Sequence, residues 1–144
     1  MNEALHFGAS PRVLFLSRDG RAPADDVSTD EITPVRIMSH YDERLARFPY
    51  TGFTKADGQR PIAPGAVQAG GFQVTVAGRR YGKGSSREHS PAAEKLAGIR
   101  LVIAESFERI YRQNADNIGL FTSTDLGLVG RLRAGEAIPV DELV

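Results

Sequence analysis

The run Tyr81-Gly82-Lys83-Gly84-Ser85-Ser86-Arg87-Glu88-His89 holds the densest set of reactive groups in the chain. Gly82 and Gly84 let the backbone turn tightly and come close to a ligand. Ser85 and Ser86 fall at or near the start of a helix, where unpaired N–H groups and the positive end of the dipole favour an anion. Arg87 adds a planar fork suited to a carboxylate or a phosphate. Together they make a small-anion cradle that carries hydroxyls. Three familiar patterns fail on spacing. The P-loop needs a glycine where Ala77 stands, the dinucleotide fingerprint needs one at Arg87, and the nucleophile elbow breaks after Ser86. The plainer reading of the same residues is a glycine turn followed by a serine-capped helix.

A second cluster, Ser28-Thr29-Asp30-Glu31-Ile32-Thr33-Pro34, mixes hydroxyls with carboxylates. Such groups can orient a reacting side chain; the plainer reading is a Ser/Asp-capped turn. The three histidines, His6, His40 and His89, form no i, i+4 pair and no HExxH run, and cysteine is absent. The chain therefore offers no thiolate nucleophile, no disulfide framework and no metal site built from its own side chains. If the chemistry needs a metal cofactor, another chain must bring it.

These groups need elements to hold them. Residues 12–17 (RVLFLS) read as a short buried strand, and 18–34 as a loop. That loop is 17 residues long, a length that marks either function or disorder. Residues 35–48 have helical spacing through Ile37, Tyr41, Leu45 and Phe48, and 49–71 are irregular and rich in Pro and Gly. FQVTVAG (72–78) alternates as a strand, and 79–98 run from a Gly-rich loop into a helix that ends near Gly98. IRLVIAES (99–106) is continuously apolar, the mark of a strand covered on both faces. Residues 106–119 read as an amphipathic helix capped by Ser106, with Phe107, Ile110, Tyr111 and Ile118 facing the core. LFTST (120–124) is another strand, and a short helical stretch follows Asp125. This order predicts an α/β fold: a mixed, mostly parallel sheet with flanking helices and a long N-terminal active-site loop.

The whole composition is compatible with one globular domain over residues 1–144, with 41% hydrophobic and 25% charged residues. Lys+Arg and Asp+Glu both number 18, and the resulting net charge of zero argues against nucleic-acid binding. No apolar run approaches the ~18 residues of a membrane span. The N-terminus lacks a signal-peptide layout, so a cytoplasmic location is expected.

YGKGSSREH closely resembles the YGxGSSREH signature of the aconitase superfamily's swivelling domain. As a separate chain, that domain is the small subunit of isopropylmalate dehydratases and homoaconitases. STDEITP resembles the (S/T)TDxI(I/S)P loop that precedes the signature in those proteins, and RLVIAESFERIYRQNADNIG resembles the strand and helix that follow it. The likeness covers roughly residues 12–125, in the same order.

The resemblance implies loss and re-addition of water on small hydroxy di- or tricarboxylates. It implies a 4Fe-4S cluster on a partner large subunit, acting as a Lewis acid on the substrate. Carried over residue by residue, it makes Ser85 the catalytic base and places Ser86 and Arg87 on a substrate carboxylate. It puts Asp30 near the active site as an orienting group. Arg36 is a further substrate contact, but Ile37 and Met38 follow it where many relatives carry an aromatic–Leu pair. That departure bears on the substrate side chain, since the stretch lies over the variable substituent in the family. Lys83 reads as solvated surface, and His89 as a structural residue of the helix's first turn. The leading substrate is a 2-hydroxy dicarboxylate such as isopropylmalate or another substituted malate. The alternatives are a homocitrate- or citrate-type tricarboxylate and a non-catalytic carboxylate-binding module.

Overall fold

The computed structural model describes residues 4–5, 12–33, 43–84, 89–133 and 138–139. Its centre is a parallel sheet of four strands in the order β2 (Arg12–Phe15), β3 (Phe72–Ala77), β4 (Leu101–Ala104), β5 (Phe121–Ser123). A separate antiparallel pair joins β1 (Ala4–Leu5) to β6 (Ile138–Pro139). The main sheet is thus wholly parallel among the described strands, and the antiparallel component stands apart from it.

Strand β4 is buried along its whole length, as a continuous apolar run requires when helices cover both faces. The period of two sorts its neighbours. Val74, Val76, Leu101 and Ile103 meet Leu128 and Leu132 of α5 (Leu128–Arg133) on one side. Ala77, Val102 and Ala104 share the other side with Tyr111 and Ala115 of α4 (Arg109–Ile118). A further apolar contact joins Leu45, in the 3-10 turn Glu43–Arg47, to Ala92 and Ala93 of α3 (His89–Leu96). Small residues in α3 let these elements approach closely. Pro91 stands early enough in that helix to need no backbone donor.

The structure departs from the sequence expectation at several points. β2 is an edge strand with Phe15 exposed, not a buried one. The loop over 18–34 contains a one-turn helix, α1 (Thr29–Ile32), and the irregular stretch contains α2 (Ala66–Gly70). Of the helix expected over 35–48, residues 35–42 lie outside the described ones and 43–47 form the 3-10 turn. Ser106 does not cap α4, whose N-cap is Glu108. Its hydroxyl instead accepts the Arg80 N–H at 2.9 Å, and its carbonyl accepts the Tyr81 N–H at 3.0 Å. Ile110 is exposed, and the buried face of α4 runs through Tyr111 and Ala115. Gly98 has φ +105°, consistent with its place just beyond the end of α3.

Candidate active site

The two reactive loops meet backbone to backbone. Val27 accepts the Gly82 N–H at 2.8 Å and the Lys83 N–H at 3.3 Å, and Thr29 donates to the Lys83 carbonyl at 2.9 Å. This is a short parallel bridge between Ser28 and Lys83. A second bridge ties Tyr81 to Phe107, so the glycine loop is clamped between the acidic loop and the connection from β4 to α4. Ser90, in the first turn of α3, donates to the Thr29 carbonyl at 3.2 Å. Both sequence clusters therefore converge where α1 and α3 begin.

Gly82 is required twice. Its φ is +86°, and a Cβ there would stand 2.4 Å from the Cβ and Cγ of Tyr111. The close approach anticipated from the glycine is thus to a tyrosine ring. Gly84, with φ +110°, is also in the left-handed half of the map.

The acidic loop is held from within. Ser28 and Glu31 form a reciprocal capping box over α1: Ser28 Oγ accepts the Glu31 N–H, and Glu31 Oε1 accepts the Ser28 N–H, both at 3.1 Å. Arg18 grips the same carboxylate with two bonds of 2.7 and 3.0 Å, and also donates to the carbonyls of Thr54, Asp25 and Asp26. Thr54 adds an N–H to Glu31 at 3.1 Å. Burial opposes ionisation of Glu31, but Arg18 and the two amides outweigh it and hold the carboxyl below its ordinary range. The sequence reading gives this segment only as a Ser/Asp-capped turn; the Ser28-x-x-Glu31 spacing is the signal that could have found the capping box, and Arg18 has no such mark.

Asp30, beside Glu31, is exposed in the first turn of α1. Lys83 is exposed too, and its ammonium lies 3.8 Å from Asp26, which agrees with a solvated surface role. Arg80 pairs with Asp26 through two bonds and holds its pKa at about 2. His89 is the first residue of α3 and is half-buried. Ser85, Ser86, Arg87, Arg36, Ile37 and Met38 lie outside the described residues. In the sequence, Ser85 follows directly on Gly84 and Arg87 lies two positions before α3.

An iron–sulfur cluster does not fit this chain as its holder. The sequence has no cysteine, and among the described residues no three acidic or histidine side chains are grouped to bind a metal. No helix among the described residues is long and apolar enough to cross a membrane.

The family model of the aconitase C-terminal domain matches residues 55–124. The chain is 40% identical over 118 residues to the 3-isopropylmalate dehydratase small subunit of Moorella thermoacetica, covering 81% of this chain and 66% of the relative. It is 41% identical over 118 residues to the isopropylmalate/citramalate isomerase small subunit of Methanocaldococcus jannaschii, again covering 81% and 66%. A crystal structure of 3-isopropylmalate dehydratase from Methanocaldococcus jannaschii is similar with a TM-score of 0.59 and 33% identity, over 79% of this chain and 60% of that one. The chain spans about two thirds of the length of the curated relatives it matches. The order of the two loops, the parallel sheet behind them and these likenesses agree: the chain belongs to the aconitase C-terminal domain family, in which the relatives it matches are named 3-isopropylmalate dehydratase small subunits.

Proposed function

We propose that this chain is the small subunit of a two-chain hydro-lyase that moves water on a 2-hydroxy dicarboxylate, with an alkyl-substituted malate as substrate. The observation that carries the reading is the bridge between Ser28 and Lys83, which joins the acidic loop to the loop leading into Ser85. A second support is the name of one relative, an isopropylmalate/citramalate isomerase small subunit, since both acids are substituted malates.

In this reading Ser85 takes the proton alpha to a carboxylate. A serine alkoxide is far too basic to persist in water near neutral pH. It needs a closed pocket, free of bulk water, with cationic and N–H neighbours. Ser86 and Arg87 supply those neighbours and hold a carboxylate, and Asp30 orients the groups around it. Ile37 and Met38 are assigned to the variable alkyl substituent of the substrate, and Arg36 to substrate binding. The iron–sulfur cluster belongs to the large subunit, because this chain has no thiolate to hold one.

The test is to co-express the chain with a cluster-bearing large subunit of the same family and follow 3-isopropylmalate and citramalate by the absorbance of their unsaturated acids. The reading expects a stable complex that turns over at least one of the two. A complex that forms and turns over neither, but hydrates a tricarboxylate, would overturn the substrate class. A chain that binds no large subunit would overturn the two-chain reading.

A further inference from the structure

The core holds a polar cluster built on Glu94. Helix α3 turns this side chain fully inward. Three phenols converge on it: Tyr81 Oη donates to Oε2 at 2.6 Å, Tyr50 donates to the same oxygen, and Tyr111 donates to Oε1. Thr75 Oγ1 lies 2.8 Å from Tyr50 Oη, and Tyr81 Oη lies 3.2 Å from it. Each phenol has one proton. With the carboxylate ionised, all three protons point at Glu94, and the Thr75 hydroxyl completes Tyr50. A leucine would fill such a core position without the desolvation of a charge. The carboxylate therefore calls for a reason beyond packing.

Its partners come from four elements. Tyr50 follows the 3-10 turn, Thr75 sits on β3, Tyr81 opens the glycine loop and Tyr111 sits on α4. Tyr50 keeps a left-handed backbone, φ +66°, which is costly for a large side chain and persists only where its surroundings enforce it. The rings also pack: Tyr81 meets Tyr111 edge to face, with centroids 5.1 Å apart. The cluster thus touches the glycine loop twice, through the Tyr81 hydroxyl and through the Tyr111 ring on which Gly82 rests.

We propose that Glu94 is a positioning residue for the Tyr81–Gly84 loop: its carboxylate gathers the three phenols and so sets where Gly82 and Lys83 stand against Val27 and Thr29. The consequence for turnover rests on the function proposed above. The consequence for loop geometry does not.

Two variants separate these consequences. Glu94→Gln keeps the shape and loses the charge; Tyr111→Phe keeps the ring beneath Gly82 and removes one donor. Amide hydrogen exchange is read at Gly82 and Lys83, whose N–H groups bond Val27, with Val102 and Ile103 of β4 as the internal reference. In Glu94→Gln, loop exchange is expected to rise about tenfold relative to β4, since local opening is released without global unfolding. In the complex with the large subunit, kcat is expected to fall about tenfold while KM stays within about twofold, the pattern of a misplaced base. Tyr111→Phe moves both in the same direction by less. An unchanged ratio of loop to β4 exchange in Glu94→Gln overturns the proposal; if that variant does not fold, the same ratio in Tyr111→Phe decides. Faster loop exchange with wild-type kcat overturns its catalytic half. A wild-type complex without turnover counts against the proposed function instead, and leaves the exchange result to decide the geometry.

Discussion

A fully buried carboxylate among phenols shows itself in the pH dependence of stability. Burial pushes Glu94 up, the bonds from Tyr111, Tyr50 and Tyr81 pull it back, and its pKa stands at about 7 against an ordinary 4.5. The three phenols facing it stay neutral across this range, because burial and the Glu94 charge raise them well above 10. Between 4.5 and about 7 the native chain binds more protons than the unfolded one. The stabilising contribution is therefore full below 4.5 and lost as pH rises through about 7. The gap corresponds to about 3 kcal/mol. Urea unfolding of wild type and Glu94→Gln at about pH 5 and about pH 8 should show the wild type losing about 2–3 kcal/mol relative to the variant. A difference that stays flat would contradict a buried, titrating Glu94. Asp26 has its pKa lowered to about 2 by Arg80, so its contribution is lost only as pH falls through that value, below this window. Of the Glu94 cluster, only the burial of Tyr111 was legible in the sequence. Residues 50, 81 and 111 are far apart in the chain, and a glutamate inside a short helix ordinarily reads as solvent-facing.

At the scale of elements, legibility followed periodicity. β3, β4, β5 and α4 each carry enough apolar residues to declare themselves, whereas α3 was marked by the Gly-rich loop before it and by Gly98 after it. The one-turn helix α1 carries no period, and it is held by the capping box and Arg18 rather than by an apolar stripe. Ser106 looked like a cap because its type suits one, but the Tyr81–Phe107 bridge takes it for the loop and delays the helix to Arg109. The glycine loop was legible as a turn, though not for what Gly82 touches. This yields a paired prediction. Gly82→Ala adds a methyl against Tyr111 at a positive φ and should cost roughly 2–4 kcal/mol. Gly71→Ala, at φ +68° with nothing near the added carbon, should cost only about 1 kcal/mol. Urea midpoints of the two variants check the ranking, and equal losses would place Gly82 away from the Tyr111 ring.

For the whole molecule, the proposed function divides labour between two chains: this one carries the paired loops and no thiolate, and the iron is assigned to a large subunit. The purified chain alone should be colourless and inactive on any 2-hydroxy dicarboxylate, as checked by its visible spectrum and a substrate assay. Turnover by the chain alone, stripped of metal, would contradict this division. The family was legible from the two loops and their order, because backbone chemistry at a glycine turn and a capped helix constrains residue types tightly. Arg36, Ile37 and Met38 lie outside the described residues, so the role assigned to them rests on the resemblance alone.

In the proposed function Ser85 is the base, and replacing its hydroxyl is the decisive test. In the complex with the large subunit, Ser85→Ala is expected to lower kcat by roughly 10²–10⁴, the range for losing an acid–base group, with KM little changed. Complex formation, cluster content and the urea midpoint should match wild type. An unaltered kcat in an intact, cluster-loaded complex would contradict the account.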